Sequence, residues 1–171
     1  DKVIAISDFI HDYIVKNYPA VAPQRMVVIP RGVDGALYHQ GFAPGGAWLA
    51  QWAAEFPHFA GKRLLTLPGR LTRWKGQLDF IKMLAALRRR QHQVHGLVVG
   101  AAHPRKPQYE GELRRAAAAS GVADDISFLG SRRDLREILA VSSCAYSLTS
   151  EPEAFGRTTI EALGLGTPVI A

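Results

Sequence analysis

The chain has 171 residues, of which 47% are hydrophobic and 21% charged, and this composition excludes a disordered, collagen-like or disulfide-stapled protein. The length fits about one domain with a core of its own. The single cysteine, Cys144, cannot form an internal disulfide, which fits a reducing compartment. No apolar run approaches the ~20 residues that cross a membrane.

The net charge of +6 is distributed unevenly along the chain. Residues 1–62 carry five basic and five acidic side chains, whereas residues 63–171 carry sixteen basic and ten acidic ones. A basic region can bind nucleic acid, acidic lipid or a phosphorylated small molecule. Because aromatic residues are not interleaved with the basic ones and no helix-turn-helix or zinc-finger spacing is present, the small phosphorylated ligand is favoured.

Apolar runs and amphipathic stretches alternate along most of the chain. In chain order they predict a strand at 2–6, a helix at 8–17, a strand at 25–30, a helix at 47–55, a strand at 63–69, a helix at 75–90, a strand at 94–100, a helix at 109–120, a strand at 126–130, a helix at 134–141, a strand at 144–148, a helix at 157–165 and a strand at 167–171. Continuously apolar strands separated by amphipathic helices predict an α/β fold with a parallel sheet covered on both faces.

Ligands of such sheets bind at the carboxyl ends of the strands, in the strand-to-helix loops. The first loop to consider is GRLTRWKG at 69–76, which places Arg70, Arg73 and Lys75 between a strand end and a helix start. Cations there suit an anion such as phosphate, and the alternative is a solvated basic turn. The loop is not a Walker A sequence, and no GxGxxG follows any predicted strand, which argues against a dinucleotide-binding oxidoreductase.

The second loop begins the segment SEPEAFGRTTIEALGLGTPVIA at 150–171. Glu153 lies in the loop, Glu161 lies one to two helical turns inside the next helix, and Gly156 allows close approach of a ligand. The carboxylates suit neutral hydroxyls, so both loops together describe a nucleotide-sugar site. The alternative is two glutamates that share this spacing by chance.

Three histidines are candidates for binding a metal ion or a phosphate. His92 and His95 are three residues apart at a strand entry without a nearby Cys or carboxylate, so packing or surface roles are favoured over metal binding. His103 lies on the ligand side of the predicted sheet and could approach a phosphate.

The motifs GRLTRWKG and EAFGRTTIEALGLGTPVIA, preceded by IPRGVD at 29–34, resemble the group 1 family of retaining nucleotide-sugar glycosyltransferases with the GT-B fold. The resemblance runs from about Val3 to Ala171. It implies that residues 1–38 are the tail of an N-terminal domain, 39–62 an inter-domain connector, and 63–171 a donor-binding Rossmann-like domain that lacks its C-terminal end.

The resemblance also implies a role for each site residue. Arg70, Lys75 and Glu153 are the expected catalytic residues, with Arg70 and Lys75 on the diphosphate and Glu153 on the transferred sugar. The complete expected donor site is Gly69, Arg70, Lys75, Gly100, Ser131, Arg132, Glu153, Phe155, Gly156 and Glu161. Within it, Phe155 and Gly156 offer backbone amides, Glu161 holds the ribose, and the 131–132 loop reads the base.

The function expected from the resemblance is transfer of a sugar from a UDP-, GDP- or ADP-sugar to a glycan or lipid-linked glycan, with retention at the anomeric carbon. No metal or other cofactor and no nucleic-acid partner are expected. The enzyme would be cytoplasmic, with peripheral association at the inner membrane face as one option, and this fragment would be inactive alone. The alternative is a non-catalytic Rossmann-like binding module, and a nucleic-acid-binding domain ranks last.

Overall fold

The computed structural model describes residues 1–104 and 106–171. Its strands and helices follow the predicted alternation. In chain order they are β1 (Val3–Ala5), α1 (Asp8–Asn17), β2 (Met26–Val28), α2 (Gly46–Glu55), β3 (Arg63–Pro68), α3 (Gln77–Arg89), β4 (Val94–Val99), α4 (Gln108–Ala119), β5 (Ile126–Gly130), α5 (Leu135–Ala140), β6 (Cys144–Tyr146), α6 (Arg157–Gly164) and β7 (Val169–Ile170). The predicted α/β fold with a Rossmann-like parallel sheet is confirmed.

The main sheet has five parallel strands in the order β5-β4-β3-β6-β7. Strands β1 and β2 form a separate two-stranded parallel sheet. In the main sheet, the chain first builds outward from β3 through β4 to β5 and then returns to the other side of β3 with β6. The order therefore reverses between β3 and β6, and the crevice at the carboxyl ends of these two strands is where sheets of this kind bind ligands.

Apolar side chains alternate between the two faces of the sheet, as extended strands require. Leu65, Leu67 and Val98 pack toward α3 and α4, in one core cluster with Phe80 and Leu113. Their neighbours in sequence face the other way. Each of these side chains contributes about 1.5–3 kcal/mol when fully buried, so helices are held firmly on this face of the sheet.

The opposite face is covered by α2, α5 and α6. Trp52 of α2 and Phe59 pack against Leu64 of β3 and Leu97 of β4 in a second cluster. The segment before α2 also packs on this face of the sheet, because Tyr38 contacts the core cluster that includes Ala162 of α6 and Ala145 of β6. The predicted connector at 39–62 is thus packed against the sheet, and its role as a boundary between domains stays a prediction.

The start of α3 differs by two residues from the predicted helix at 75–90. Residues Arg73–Lys75 form a tight 3₁₀ turn, and Gly76 adopts a left-handed conformation with φ of 74° before the helix begins at Gln77. A Cβ on Gly76 would lie 2.0 Å from the carbonyl oxygen of Leu148. The loop after β3 is therefore pressed directly onto the chain leaving β6, and only glycine fits at the contact.

His95 is a core residue of β4, 1% exposed. Its Nε2 lies 2.9 Å from the Ser127 hydroxyl, and its ring packs against Phe59 and His58. Burial, followed by the positive charge of Lys62, lowers the pKa of His95 to about 4. The neutral imidazole is consequently the form that the folded protein accommodates.

This burial predicts a loss of stability in acid. Below pH ~6.5 the unfolded chain protonates His95 while the folded one does not until about pH 4, so the free energy of unfolding falls through this window by about 3 kcal/mol. Urea unfolding at pH 7, 5.5 and 4 measures the fall. The variant His95→Gln should lose this part of the pH dependence, whereas His92→Gln, at an exposed site, should keep it. Equal pH dependence in all three proteins would contradict the assignment.

The contact at Gly76 predicts a large effect for a single methyl group. Gly76→Ala should lower the free energy of unfolding by about 2–4 kcal/mol, because it combines a left-handed backbone with a steric clash. Gly35→Ala is the matched control, since no atom lies within 4 Å of the added Cβ. Urea unfolding of both variants checks the difference, and a Gly76→Ala protein as stable as Gly35→Ala would contradict the contact.

Candidate functional site

The floor of the candidate site is backbone at the ends of β3 and β4. The Gly69 amide donates to the Val99 carbonyl at 2.8 Å. A Cβ on Gly100, whose φ is 153°, would lie 2.0 Å from the Gly69 carbonyl oxygen. The two strand ends therefore touch without intervening side chains, which leaves open space above them for a ligand.

Two loops meet above β3 and β6, the pair of strands where the strand order reverses. The Ser150 amide donates to the Trp74 carbonyl at 2.9 Å and so ties the 147–156 loop to the 69–76 loop. Next to this bond, the Lys75 ammonium donates to the Glu153 carboxylate in an ion pair whose side chains are 17% and 29% exposed. The structure thus brings together two predicted catalytic residues from loops 78 positions apart in sequence.

Lys75 is held in place by more than its ion pair. Its ammonium lies 4.3 Å from the centre of the Trp74 ring, a cation–π contact. Its side-chain methylenes pass over Gly69, with Cδ 3.7 Å from where a Cβ of Gly69 would be. A Cβ at position 69 would therefore be in ordinary van der Waals contact with the Lys75 side chain, and the φ of 142° is the feature that favours glycine there.

An open cleft of about 490 Å³ extends from this floor toward β5. Five of the ten predicted site residues line it, together with seven others. Among residues 1–104 and 106–171, the lining is Gly69, Arg70, Val99, Gly100, Ala101, Ala102, His103, Pro104, Ser131, Arg132, Leu135 and Thr158. Within the described residues, no polar partner is recorded for the exposed side chain of Arg70, while its carbonyl accepts a hydrogen bond from the buried Gln77. The Arg70 guanidinium is thus available to an anion in the cleft.

Arg132 lines the cleft with its guanidinium already engaged. It donates to Asp134 at 2.9 and 2.8 Å and to Glu55 of α2 at 3.0 Å. The bond from Arg132 is the main reason that the pKa of Asp134 is lowered, and the carboxylates in turn raise the pKa of Arg132. The Arg132 guanidinium is therefore paired with Asp134 and Glu55. Recognition of a nucleotide base by Arg132 stays a prediction.

Glu161 is 2% exposed and does not line the cleft. Its carboxylate accepts from the Arg157 guanidinium at 2.7 Å, one turn earlier in α6. Tyr38 lies on its other side, and burial followed by the charge of Glu161 raises the pKa of the Tyr38 phenol. Glu161 is thus buried and paired with Arg157, whose side chain is 67% exposed, and the ribose-binding role of Glu161 stays a prediction.

The last two predicted residues, Phe155 and Gly156, form the end of the 147–156 loop. Gly156 has φ of 69° and begins α6, and its Cβ position lies 3.8 Å from the Glu153 side chain. The neighbouring Ala154 carbonyl accepts a hydrogen bond from the Ser7 hydroxyl at 3.2 Å. The loop that carries Glu153 is therefore also in contact with the start of α1.

Sequence reasoning missed Thr158 and Leu135 as lining residues. Thr158 lies two residues after Gly156, so the predicted loop-to-helix junction was a signal that pointed to it. No feature of the sequence indicates that Leu135 lines the cleft, because an apolar residue at the start of a helix normally predicts a core position.

Residues 1–104 and 106–171 contain no group of three or more His, Cys, Asp or Glu side chains placed to hold a metal ion. Within the same residues, no helix is long and apolar enough to span a bilayer.

Comparison with known proteins agrees with this geometry. The family of group 1 glycosyl transferases matches residues 50–171. The chain is 29% identical over 177 aligned residues to alpha-maltose-1-phosphate synthase of Mycolicibacterium smegmatis, covering 100% of this chain and 43% of that protein.

Solved structures share the fold. A glycosyltransferase from Rickettsia africae ESF-5 superposes with a TM-score of 0.85 at 27% identity, covering 99% of this chain and 43% of that one. Anabaena Alr3699/HepE in complex with UDP-glucose superposes with a TM-score of 0.83 at 27% identity, covering 98% and 43%. The chain spans less than half the length of each of these proteins. Because the family match covers most of its residues, the chain belongs to the group 1 glycosyl transferases.

Proposed function

We propose that this chain carries the donor site of a retaining glycosyltransferase that moves a hexosyl group from a nucleoside-diphosphate sugar to an acceptor. The observation that carries the proposal is the Lys75–Glu153 ion pair, which lies where the strand order reverses, in the same two loops as Arg70, whose side chain has no polar partner among the described residues. A binding module without transfer chemistry has no need for this combination of cations and carboxylate.

The two cations are the groups that would hold the diphosphate. Arg70 presents a planar fork that matches phosphate oxygens, and Lys75 adds a compact charge. Since Lys75 is neutralised by Glu153 in the free protein, a diphosphate must replace Glu153 as the partner of the ammonium. The carboxylate released in this way would then accept hydrogen bonds from hydroxyls of the transferred sugar.

The chemistry asked of the site is electrostatic. Transfer breaks the bond between the anomeric carbon and a phosphate oxygen, so negative charge develops on the diphosphate and positive charge on the sugar. Arg70 and Lys75 would stabilise the leaving group, and Glu153 would stabilise and orient the sugar. Glu153 and Glu161 are not assigned the nucleophile and acid roles of glycosidase carboxylates. In the free protein Glu153 is paired with Lys75, and Glu161 is buried under Arg157.

The base and ribose would occupy the part of the cleft lined by Gly100, Ser131 and Arg132. The Anabaena neighbour was solved with UDP-glucose, which supports UDP as the first nucleotide to test among UDP, GDP and ADP. Glu161 would bind the ribose after exchange of its Arg157 partner, and Phe155 and Gly156 would offer amides to the sugar or phosphate. No metal or other cofactor is part of this proposal.

This chain covers 43% of the length of the Mycolicibacterium smegmatis relative, so the acceptor is proposed for a whole enzyme of that length. We infer a glycan or lipid-linked glycan acceptor and a cytoplasmic enzyme, which could associate peripherally with the inner membrane face. Retention at the anomeric carbon follows from the family resemblance. This chain alone should bind donor weakly and transfer no sugar. Robust sugar transfer by this chain alone would contradict the proposal that the acceptor is bound elsewhere in the whole enzyme.

Calorimetric titration with UDP, GDP, ADP and their sugars tests the donor site. One nucleotide diphosphate should bind, and Arg70→Ala or Lys75→Ala should weaken its binding tenfold or more, about 1.4 kcal/mol. Lys82→Ala is the control, because it removes an exposed cation of α3 that pairs with Asp79 outside the site. Failure of every nucleotide to bind a folded sample, or an equal effect of Lys82→Ala, would overturn the proposal.

Glu153→Gln separates the diphosphate from the sugar. The substitution releases Lys75 from its ion pair, so the affinity for the nucleoside diphosphate alone should stay unchanged or rise. The additional affinity that the attached sugar provides should shrink, because the amide is a poorer acceptor than the carboxylate. Calorimetric titration measures the affinities of the wild type and the variant for the nucleoside diphosphate and for the nucleotide sugar. An equal loss of affinity for both ligands would exclude the sugar-binding role of Glu153.

A further inference from the structure

A second groove, of about 290 Å³, lies on the other side of the 70–75 loop from the donor cleft. It is formed by the loop and by the first turns of α4, and among the described residues it shares only His103 with the lining of the donor cleft. Within the described part of the chain, its lining is Leu71, Thr72, Arg73, Trp74, His103, Lys106, Gln108, Tyr109 and Glu112. Nothing in the proposed donor chemistry uses this groove.

Two hydroxyl groups at the groove are buried without a hydrogen-bond partner among the described residues. They are the Thr72 Oγ1 and the phenol of Tyr109, a residue that is only 5% exposed. Buried polar atoms are normally paired, and leaving one unpaired costs free energy. Two such atoms beside one groove are polar groups that a ligand would pair once the side chains above them shift.

The phenol of Tyr109 lies among the charged groups of the groove. The Arg73 guanidinium sits 5.2 Å from the centre of its ring. Burial raises the pKa of this phenol, Arg73 lowers it, and Glu112 raises it, so both charges are close enough to act on the hydroxyl. The buried hydroxyl thus lies near two of the ionic side chains that line the groove.

The charge of the groove favours an anion. Arg73 and Lys106 face a single carboxylate, Glu112. Arg73 pairs with Glu112 at 2.7 Å, but its side chain is 73% exposed, and pairs at such exposure are weak and exchange readily. The groove also receives the N-terminus of α4, a helix of 12 residues without a capping side chain. A helix start of this kind attracts negative charge.

We propose that this groove is a second ligand site, which binds a phosphate monoester of monosaccharide size. Arg73 and Lys106 hold the phosphate together with the start of α4, and the hydroxyls of Thr72 and Tyr109 complete their hydrogen bonds on the ligand. Glu112, released from Arg73, accepts from sugar hydroxyls, and the Trp74 ring borders the sugar. The volume lies at the lower end of small-molecule sites, which suits one phosphorylated sugar and is small for a nucleotide sugar.

Calorimetric titration with glucose 6-phosphate tests the site, with glucose as the uncharged comparison. Wild type should bind the phosphate ester with a Kd of about 1 mM or tighter and glucose much more weakly. The double variant Thr72→Val with Tyr109→Phe keeps the shapes and removes only the unpartnered hydroxyls. It should melt at or above the wild-type temperature and bind tenfold or more weakly.

Two charge variants locate the site. Arg73→Gln should also weaken binding of glucose 6-phosphate tenfold or more, whereas Arg89→Gln, which removes an exposed cation in the last turn of α3, should leave it unchanged. Absence of binding to wild type, or unchanged binding by the hydroxyl double variant, would overturn the proposal. So would a loss of binding in Arg70→Gln that Arg73→Gln does not show, because that result places the ligand in the donor cleft. None of these outcomes depends on whether a nucleotide sugar binds.

Discussion

The ion pair between Lys75 and Glu153 is the interaction on which the candidate site depends. It joins loops from the two strands between which the sheet reverses its order, so the fold itself determines that the residues meet. Both side chains are partly buried, and removing one would leave the other without its counter-charge. In the proposed function, a diphosphate replaces Glu153 as the partner of Lys75, and sugar hydroxyls become the partners of Glu153. The ion pair would then hold, in the free protein, the two charges that the proposed donor uses.

Backbone contacts make this arrangement rigid. Gly100 packs onto Gly69 at the floor of the site, and Gly76 packs onto the Leu148 carbonyl at the junction of the two loops. Because no side chain fits at these contacts, the distance between the loops cannot relax without loss of packing. The stability of the fold and the geometry of the proposed donor site thus depend on the same few glycines.

The sequence could predict the elements and the residues that lie on neighbouring strand-to-helix loops. Arg70, Lys75 and Glu153 were accessible in this way, because a parallel sheet brings the carboxyl ends of its strands to one edge. The side chains that pair with Arg132 and Glu161 could not be predicted from the sequence. Arg132 is tied to Glu55, 77 positions away, and Tyr38 reaches Glu161 only through the packing of the segment before α2. Such contacts depend on how the helices pack on the sheet, and the hydrophobic periodicity of the sequence does not predict that packing.

A structure of the chain bound to UDP-glucose tests the central claim most directly. The account predicts that the diphosphate oxygens lie within hydrogen-bond distance of Arg70 and of a Lys75 ammonium that has left Glu153. It also predicts that the Glu153 carboxylate contacts a hydroxyl of the glucose. A bound donor with the Lys75–Glu153 pair intact and the diphosphate away from both cations would contradict it.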